Sequence, residues 1–347
     1  MKSSGRQNGF EILFIVLCCA SLACCDTNRY QSVRAYSRHG DCKSPIKSDS
    51  NGMEAWADRL VPNSQNDKIK GYMGTVGVLG GYSEDTGAPF FAAMGALRVG
   101  ADEVHIFCTV EAADALRFYS PDFRVRPILN NEAKLLLEIV AMDVIVMGPG
   151  LAPDAYSIQL VAKVINLCKL HKKPLVLDLE VPFWTLATAN ALIMMTYPGV
   201  IITPNKAEFE QLYTQMKLQG DASNTHATIN FAKYGNYIFF LRKGCTDQGM
   251  SSNPFSSWSI SEGGSAKRST GQGHLLAGIT GTYFFWATKY VYVNETVRGH
   301  MFPAAVASYS AAKLVRSLNR RSYETHSRSM ASTDMINEIQ VAMEEDY

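Results

Sequence analysis

The stretch 270–278, TGQGHLLAG, sets glycines at 271 and 273 just ahead of an apolar helical run and places His274 at the mouth of the turn. Glycine permits positive backbone angles, and a helix opening directly after such a turn aims free N–H groups and the positive end of its dipole into it. Turns of this kind hold phosphate. A neutral imidazole there can accept a proton and a protonated one can bind an anion, so the chemistry in view is proton transfer or charge pairing beside a phosphoryl group.

Other segments carry groups suited to the same chemistry. In TPNKAEFEQL (203–212), Pro204 disfavours helical geometry at Thr203, Asn205 can cap the following helix, and Glu208 lies in its first turn. Glu208 either completes that cap or contacts substrate or a hydrated metal ion. LRKGCTD (241–247) places Lys243 and Gly244 directly after a strand-like run, where they meet a nucleotide phosphate or stand in solvent. GGYSEDTGAP (80–89) reads as a strand end followed by Thr86 as a cap, and MGPGL (147–151) as a glycine turn after a buried strand; each is a local connection or part of a ligand site. EGGSAKRST (262–270) brings Lys267 and Arg268 close to the glycine turn. That turn lacks the GK[ST] ending of a P-loop and does not follow a strand as a dinucleotide fingerprint does, which argues against both.

The elements that must position these groups show in the hydrophobic pattern. Short β-branched runs over 75–81, 103–109, 143–150, 174–180, 199–205 and 236–244 predict buried strands, and longer runs over 89–99, 131–140, 155–171 and 206–217 predict helices between them. This alternation predicts a largely parallel sheet covered by helices on both faces, with ligands bound at the carboxyl ends of the strands. The polar and glycine-rich groups sit at those ends. After Arg242 a polar, hairpin-like region leads to the glycine turn and then to three helices.

The chain has 347 residues and 47% hydrophobic content, enough for a sizeable core, and no internal repeat or second core is visible. With 33 Lys plus Arg against 32 Asp plus Glu, no overall field favours nucleic acid or anionic membrane, so phosphate binding must be local. Cys18, Cys19, Cys24 and Cys25 fall in one apolar run, and Cys42, Cys108, Cys168 and Cys245 are scattered. Their spacing signals neither a zinc site nor a disulfide framework, and the scattered cysteines read as buried or free thiols.

Lys2 and Arg6 precede ILFIVLCCASLACC, which places a targeting segment over 1–25. It reads first as a secretory signal cleaved after Ala23, with a signal anchor or a mitochondrial presequence as alternatives; Glu11 and the short basic region fit a presequence poorly. Residues 26–52 read as a polar linker and 53–347 as the folded domain. Asn294 begins a glycosylation-type tripeptide.

Taken in order, GGYSEDTGAPFFAAMGALRVGAD, VMGPGLAPD, VIITPNKAEFEQL, RKGCTD, GGSAKRSTGQGHLLAGITG and STDMINEI closely resemble the ATP-dependent (S)-NAD(P)H-hydrate dehydratase family. The resemblance runs from about Met53 to the C-terminus. It implies an α/β, ribokinase-like three-layer α/β/α sandwich with a mostly parallel central sheet. It implies a repair reaction in which ATP drives dehydration of the S form of hydrated NADH or NADPH, by phosphorylation of the ring hydroxyl and loss of phosphate.

Carried over position by position, the resemblance implies that Gly150, Asn205, Lys206, Ala207, Glu208, Phe209, Glu210 and Gln211 contact the hydrated dinucleotide, together with His274. It implies that ATP is held by Lys243, Gly244, Cys245, Thr246 and Asp247, and by Gly264, Ser265, Ala266, Lys267, Arg268, Ser269, Thr270, Gly271, Gln272 and Gly273. Magnesium is expected with the nucleotide. Related proteins often assemble, which leaves a homo-oligomer open; the partners otherwise implied are small molecules, with no nucleic acid and no specific protein partner.

The chain departs from the family pattern in one cleft. His274 stands where GGQGD has its aspartate, the expected catalytic base, and Thr270 stands where the pattern has glycine. Ala152 replaces a glycine after GPGL, and DLEVP (178–182) stands in place of DADGL, with Glu180 keeping a carboxylate while Val181 and Pro182 replace the freer residues. Three functions are compatible with this pattern: a working dehydratase with His274 as substituted base, a noncatalytic nucleotide-binding member, or a small-molecule kinase of the same fold.

Overall fold

Each run read as a buried strand forms one, shortened where glycine, proline or a charged group leaves the ladder. In chain order the strands are β1 (Thr75–Leu79), β2 (Glu103–Phe107), β3 (Arg124–Arg126), β4 (Val144–Met147), β5 (Leu175–Leu177), β6 (Val200–Ile202), β7 (Ile238–Arg242), β8 (Asp247–Met250) and β9 (Trp258–Ile260). The computed structural model describes residues 52–62, 71–193, 195–215, 237–251, 256–290 and 301–346. The targeting segment, residues 26–51 of the linker, the last two positions of the helix read over 206–217, and Asn294 lie outside the described residues.

One sheet runs in the order β3-β2-β1-β4-β5-β6-β7-β8-β9. Every pairing among β1 to β7 is parallel, and β8 and β9 extend the sheet antiparallel beyond β7, which is the form taken by the hairpin-like region. The chain leaves β1 towards β2 and β3 and returns to β4 on the other side of β1. That reversal opens a crevice at the carboxyl ends of β1 and β4. Across it the Gly81 N–H donates to the Gly150 carbonyl at 2.7 Å.

The alternation of side chains along the central strands separates two apolar layers. Val76, Val78, Val144, Val146, Val176 and Ile201 face one side, where they pack against α1 (Glu54–Ala57), α2 (Gly87–Arg98), α8 (Gln272–Tyr290) and α9 (Phe302–His326). Ile145, Met147, Leu175, Leu177, Val200 and Ile202 face the other, packed against α4 (Glu132–Ala141), α5 (Ala155–His171), α6 (Leu186–Ile193) and α7 (Lys206–Gln215). Full burial of such a side chain is worth about 1.5–3 kcal/mol. A parallel sheet covered on both faces therefore needs near-continuous apolar strands, as found.

Three local expectations change. The 3-residue β3 and the helix α3 (Val110–Tyr119) add to the elements read from the pattern. Thr86 precedes α2 as expected, but its hydroxyl pairs with Tyr119 Oη at 2.9 Å, and Asp85 Oδ1 takes the free Ala88 N–H at 3.0 Å. After the glycine turn there are α8, α9, α10 (Ser332–Asn337) and α11 (Ile339–Asp346) among the described residues, rather than three helices. Ser327, at φ 52°, terminates α9, and a short 3₁₀ turn (Ser327–Ser329) leads into α10. Among the described residues no helix is long and apolar enough to cross a membrane.

Candidate active site

Each central strand ends by delivering a polar group to the same edge of the sheet. Asp178 follows β5, Thr203 follows β6 and Lys243 follows β7, while α8 brings His274 to them from the helical layer. The Asp178 N–H donates to the Met147 carbonyl, the Thr203 N–H to the Leu177 carbonyl and the Lys243 N–H to the Pro204 carbonyl, so each residue is fixed to a neighbouring strand end. Gly148 lets Asp178 lie close. It has φ +128°, and a Cβ there would fall 2.1 Å from the Asp178 carbonyl oxygen.

The side chains converge on the Asp178 carboxylate. Lys243 Nζ donates to Oδ1 at 2.7 Å, Thr203 Oγ1 donates to Oδ1 at 2.8 Å, and His274 Nδ1 lies 2.8 Å from Oδ2. The Asp178 side chain is 2% exposed, against 20% for Lys243 and 24% for His274. A buried carboxylate is costly unless paired and hydrogen-bonded, and here three donors meet that need.

The charges settle accordingly. Burial alone would raise the Asp178 carboxyl, but Lys243 and then His274 overcome it and hold the carboxyl well below the usual carboxylate range. Burial works against charge on Lys243, yet Asp178 and Glu208 raise it. For His274 burial is again opposed, by the hydrogen bond and charge of Asp178 with a smaller contribution from Asp85, and the imidazole is raised although Lys243 acts against it.

Lys243 also lines a cleft of about 300 Å³ with Gly244, Asp247, Arg268, Ser269, Gln272 and Gly273. These are positions at which ATP contacts were expected. Leu276, Val315, Arg316 and Asn319 complete the lining and were not foreseen. Arg316 Nη1 donates to Asp247 Oδ2 at 2.8 Å, Nε to the Glu262 carbonyl at 2.7 Å, and Nη2 to the carbonyls of Cys245 and Ser261 at 2.8 Å. Asn319 accepts from the Ser265 N–H at 2.5 Å and donates to the Lys267 carbonyl at 3.0 Å. Helix α9 thus ties together the loops around 243–247 and 261–267. Asp247 Oδ1 accepts the Gly244 N–H at 2.9 Å, so both its oxygens are engaged in holding the turn.

The glycine turn is pinned from its far side: Ser332 Oγ donates to the Thr270 carbonyl at 2.7 Å and Ser269 Oγ to the Met330 carbonyl at 2.9 Å. Gly271 has φ +99° and lies against Phe91. Thr270 does not have positive φ; among the described residues only Lys172 and Ser327 do so without being glycine. The threonine is therefore accommodated without left-handed strain. Ala266 is exposed and Thr246 half-buried, and neither lines the cleft.

Cys245 corrects an expectation: read as a buried or free thiol, it is disulfide-bonded. Spacing alone cannot reveal such a pairing. Cys108 and Cys168 are buried free thiols, pushed up by burial to about 11 and about 12.

On the dinucleotide side, Gly150 lies at the crevice, with φ +65° and the Asp85 carbonyl close to it. Asn205 and Glu208 form a reciprocal cap at the start of α7. The Asn205 N–H donates to Glu208 Oε2 at 2.7 Å and the Glu208 N–H donates to Asn205 Oδ1 at 3.0 Å. Burial raises the Glu208 carboxyl, opposed by Lys243 and the Asn205 N–H. Lys206 and Glu210 are exposed and Ala207 and Gln211 half-buried. Phe209 does not face the site. It is fully buried, edge-on to Phe240 at 6.1 Å, because its place in α7 turns it into the core. Glu180, singled out as the retained carboxylate in DLEVP, is exposed; the carboxylate that joins the cluster is Asp178.

The family model described as NAD(P)H-hydrate dehydratase matches residues 76–341. The ATP-dependent (S)-NAD(P)H-hydrate dehydratase of Aedes aegypti is 37% identical over 286 residues, covering 82% of this chain and 81% of that protein. Among solved structures, a ribokinase-like superfamily protein from Enterococcus faecalis matches with TM-score 0.66 and 16% identity, over 84% of this chain and 94% of that one. The ADP/ATP-dependent NAD(P)H-hydrate dehydratase of Bacillus subtilis, co-crystallized with ATP/Mg2+, matches with TM-score 0.61 and 18% identity, over 85% and 97%. The fold is ribokinase-like, a three-layer α/β/α sandwich. With its sheet and its sequence in agreement, the chain belongs to the NAD(P)H-hydrate dehydratase family.

Proposed function

We infer that this chain uses ATP to dehydrate the S form of hydrated NADH and NADPH, releasing NAD(P)H, ADP and phosphate. One observation carries the reading beyond family membership. Lys243 lines the cleft of about 300 Å³ and, at 2.7 Å, is hydrogen-bonded to the carboxylate that holds His274, so one ammonium joins the expected ATP cleft to a candidate proton acceptor.

In this reading Lys243, Gly244, Arg268 and the glycine turn hold the triphosphate. The crevice beside Gly150 and the start of α7 hold the hydrated nicotinamide nucleotide. His274 takes the proton of the ring hydroxyl as that oxygen attacks the γ-phosphorus. Departure of phosphate from the ring carbon, with loss of a proton from the adjacent carbon, restores the double bond of the dihydronicotinamide.

Magnesium would arrive on the nucleotide and neutralise charge on its phosphates. Among the described residues no group of three His, Cys, Asp or Glu side chains could hold a metal ion. No residue is assigned to it. The apolar N-terminal run directs the chain to the secretory route in this reading, with the mitochondrion as the alternative; sequencing the N-terminus of the mature protein tests cleavage after Ala23.

The test is product identity. Protein incubated with ATP, Mg2+ and the S form of hydrated NADH is expected to yield NADH, ADP and inorganic phosphate in equal amounts by mass spectrometry and phosphorus NMR. A stable phosphorylated alcohol would instead establish a kinase of the same fold.

A further inference from the structure

We propose that Asp178 and His274 work as a dyad, in which the buried carboxylate of Asp178 fixes the tautomer and orientation of the imidazole and leaves Nε2 as the base. The proposal rests on the dehydratase reading and deepens it by naming a positioning residue. Asp178 cannot do the work itself: its side chain is 2% exposed, and its oxygens already accept from Lys243, Thr203 and His274. An ionised carboxylate accepts hydrogen bonds and has none to donate, so His274 Nδ1 must carry the proton between them. No hydrogen bond from the described residues reaches Nε2, and the ring is 24% exposed.

A carboxylate behind an imidazole does two things at once. It selects the tautomer whose lone pair faces the reactant, and it stabilises the imidazolium formed when the proton arrives. Here the proton of the substrate hydroxyl passes to Nε2. The new bond forms between that oxygen and the γ-phosphorus, and the bond from the γ-phosphorus to the bridging oxygen breaks, its electron pair leaving on ADP. The charged groups facing His274 come from three places: Asp178 after β5, Lys243 after β7 and Asp85 ahead of α2. Burial and the ammonium oppose the charged imidazole and the two carboxylates favour it more strongly, so the ring's pKa is raised from its ordinary value.

The test is the pH dependence of kcat/KM, paired with NMR titration of the His274 ring in the full chain. Wild type should show an acid limb set by His274 and an Nδ1-protonated neutral tautomer. Asp178→Asn should lower kcat by roughly a hundredfold or more and move both the limb and the ring titration to lower pH. Thr203→Val, which keeps the carboxylate and removes one donor to it, should move them the other way, so the test survives if the asparagine variant does not fold.

A limb and ring titration unmoved in both variants would overturn the dyad even if activity fell, since only a structural role would remain. Wild-type rates in His274→Ala would instead remove the imidazole as base and the dyad with it. If wild type does not turn over the hydrated dinucleotide, the dehydratase reading fails by itself, and the NMR titration still decides whether Asp178 governs His274.

Discussion

Asp178 Oδ2 and His274 Nδ1 lie 2.8 Å apart although the residues are 96 positions apart in the chain. A strand end buried in one layer thereby sets the state of a side chain at the start of α8. The relationship has consequences for stability as well as for catalysis.

Stability should depend on pH in two separate windows. The Asp178 carboxyl is held below its unfolded value of about 3.9, so its contribution is present above that pH and is lost on acidification towards the lower folded value. His274 is raised above its unfolded value of about 6.5, so its contribution is full below that pH and is lost as pH rises through the folded value. Urea unfolding of wild type and His274→Gln should therefore show a stability difference that shrinks on going from pH 6 to the alkaline side.

Gly148→Ala should be damaging out of proportion to one methyl group. The new Cβ would sit 2.1 Å from the Asp178 carbonyl, at φ +128°. Strain of about 1–3 kcal/mol from the backbone angle alone, with displacement of Asp178 added, should lower the melting temperature by several degrees and reduce turnover.

Arg316→Met should loosen the loops around 243–247 and 261–267, where ATP contacts are expected. It leaves Asp247 Oδ2 and three carbonyls without their donor, and breaking one partner of a buried ion pair costs about 3–5 kcal/mol. Calorimetric titration should show weakened ATP binding, and affinity for the hydrated dinucleotide should change much less.

Phe209 separates core from site. Phe209→Ala should destabilise by about 3–5 kcal/mol, as expected for a fully buried aromatic ring. The milder Phe209→Leu should leave the KM for the dinucleotide close to wild type, because the ring packs on Phe240 and does not line the crevice.

The parallel core was legible in the sequence because buried strands in such sheets are unbroken apolar runs. The segment 144–147, VIVM, and its counterparts announce themselves. Strand β3 is Arg-Val-Arg at the sheet edge, with one apolar residue and no run to detect. The glycine turn, Lys243 and the Asn205–Glu208 cap were visible as local patterns. Asp178 was not, because nothing in DLEVP says which carboxylate turns inward; Glu180 drew the eye and is exposed. Arg316 and Asn319 were invisible for a different reason. They act from the middle of a long helix on loops more than 50 residues earlier, a pairing created by the fold alone.

The measurement that tests the account most directly is the ATP-dependent rise in dihydronicotinamide absorbance from hydrated NADH, with wild type beside His274→Asp. The account predicts appreciable wild-type turnover that requires ATP. Turnover only in the aspartate variant would contradict it, showing intact binding sites in a natural protein whose imidazole does not serve as the base.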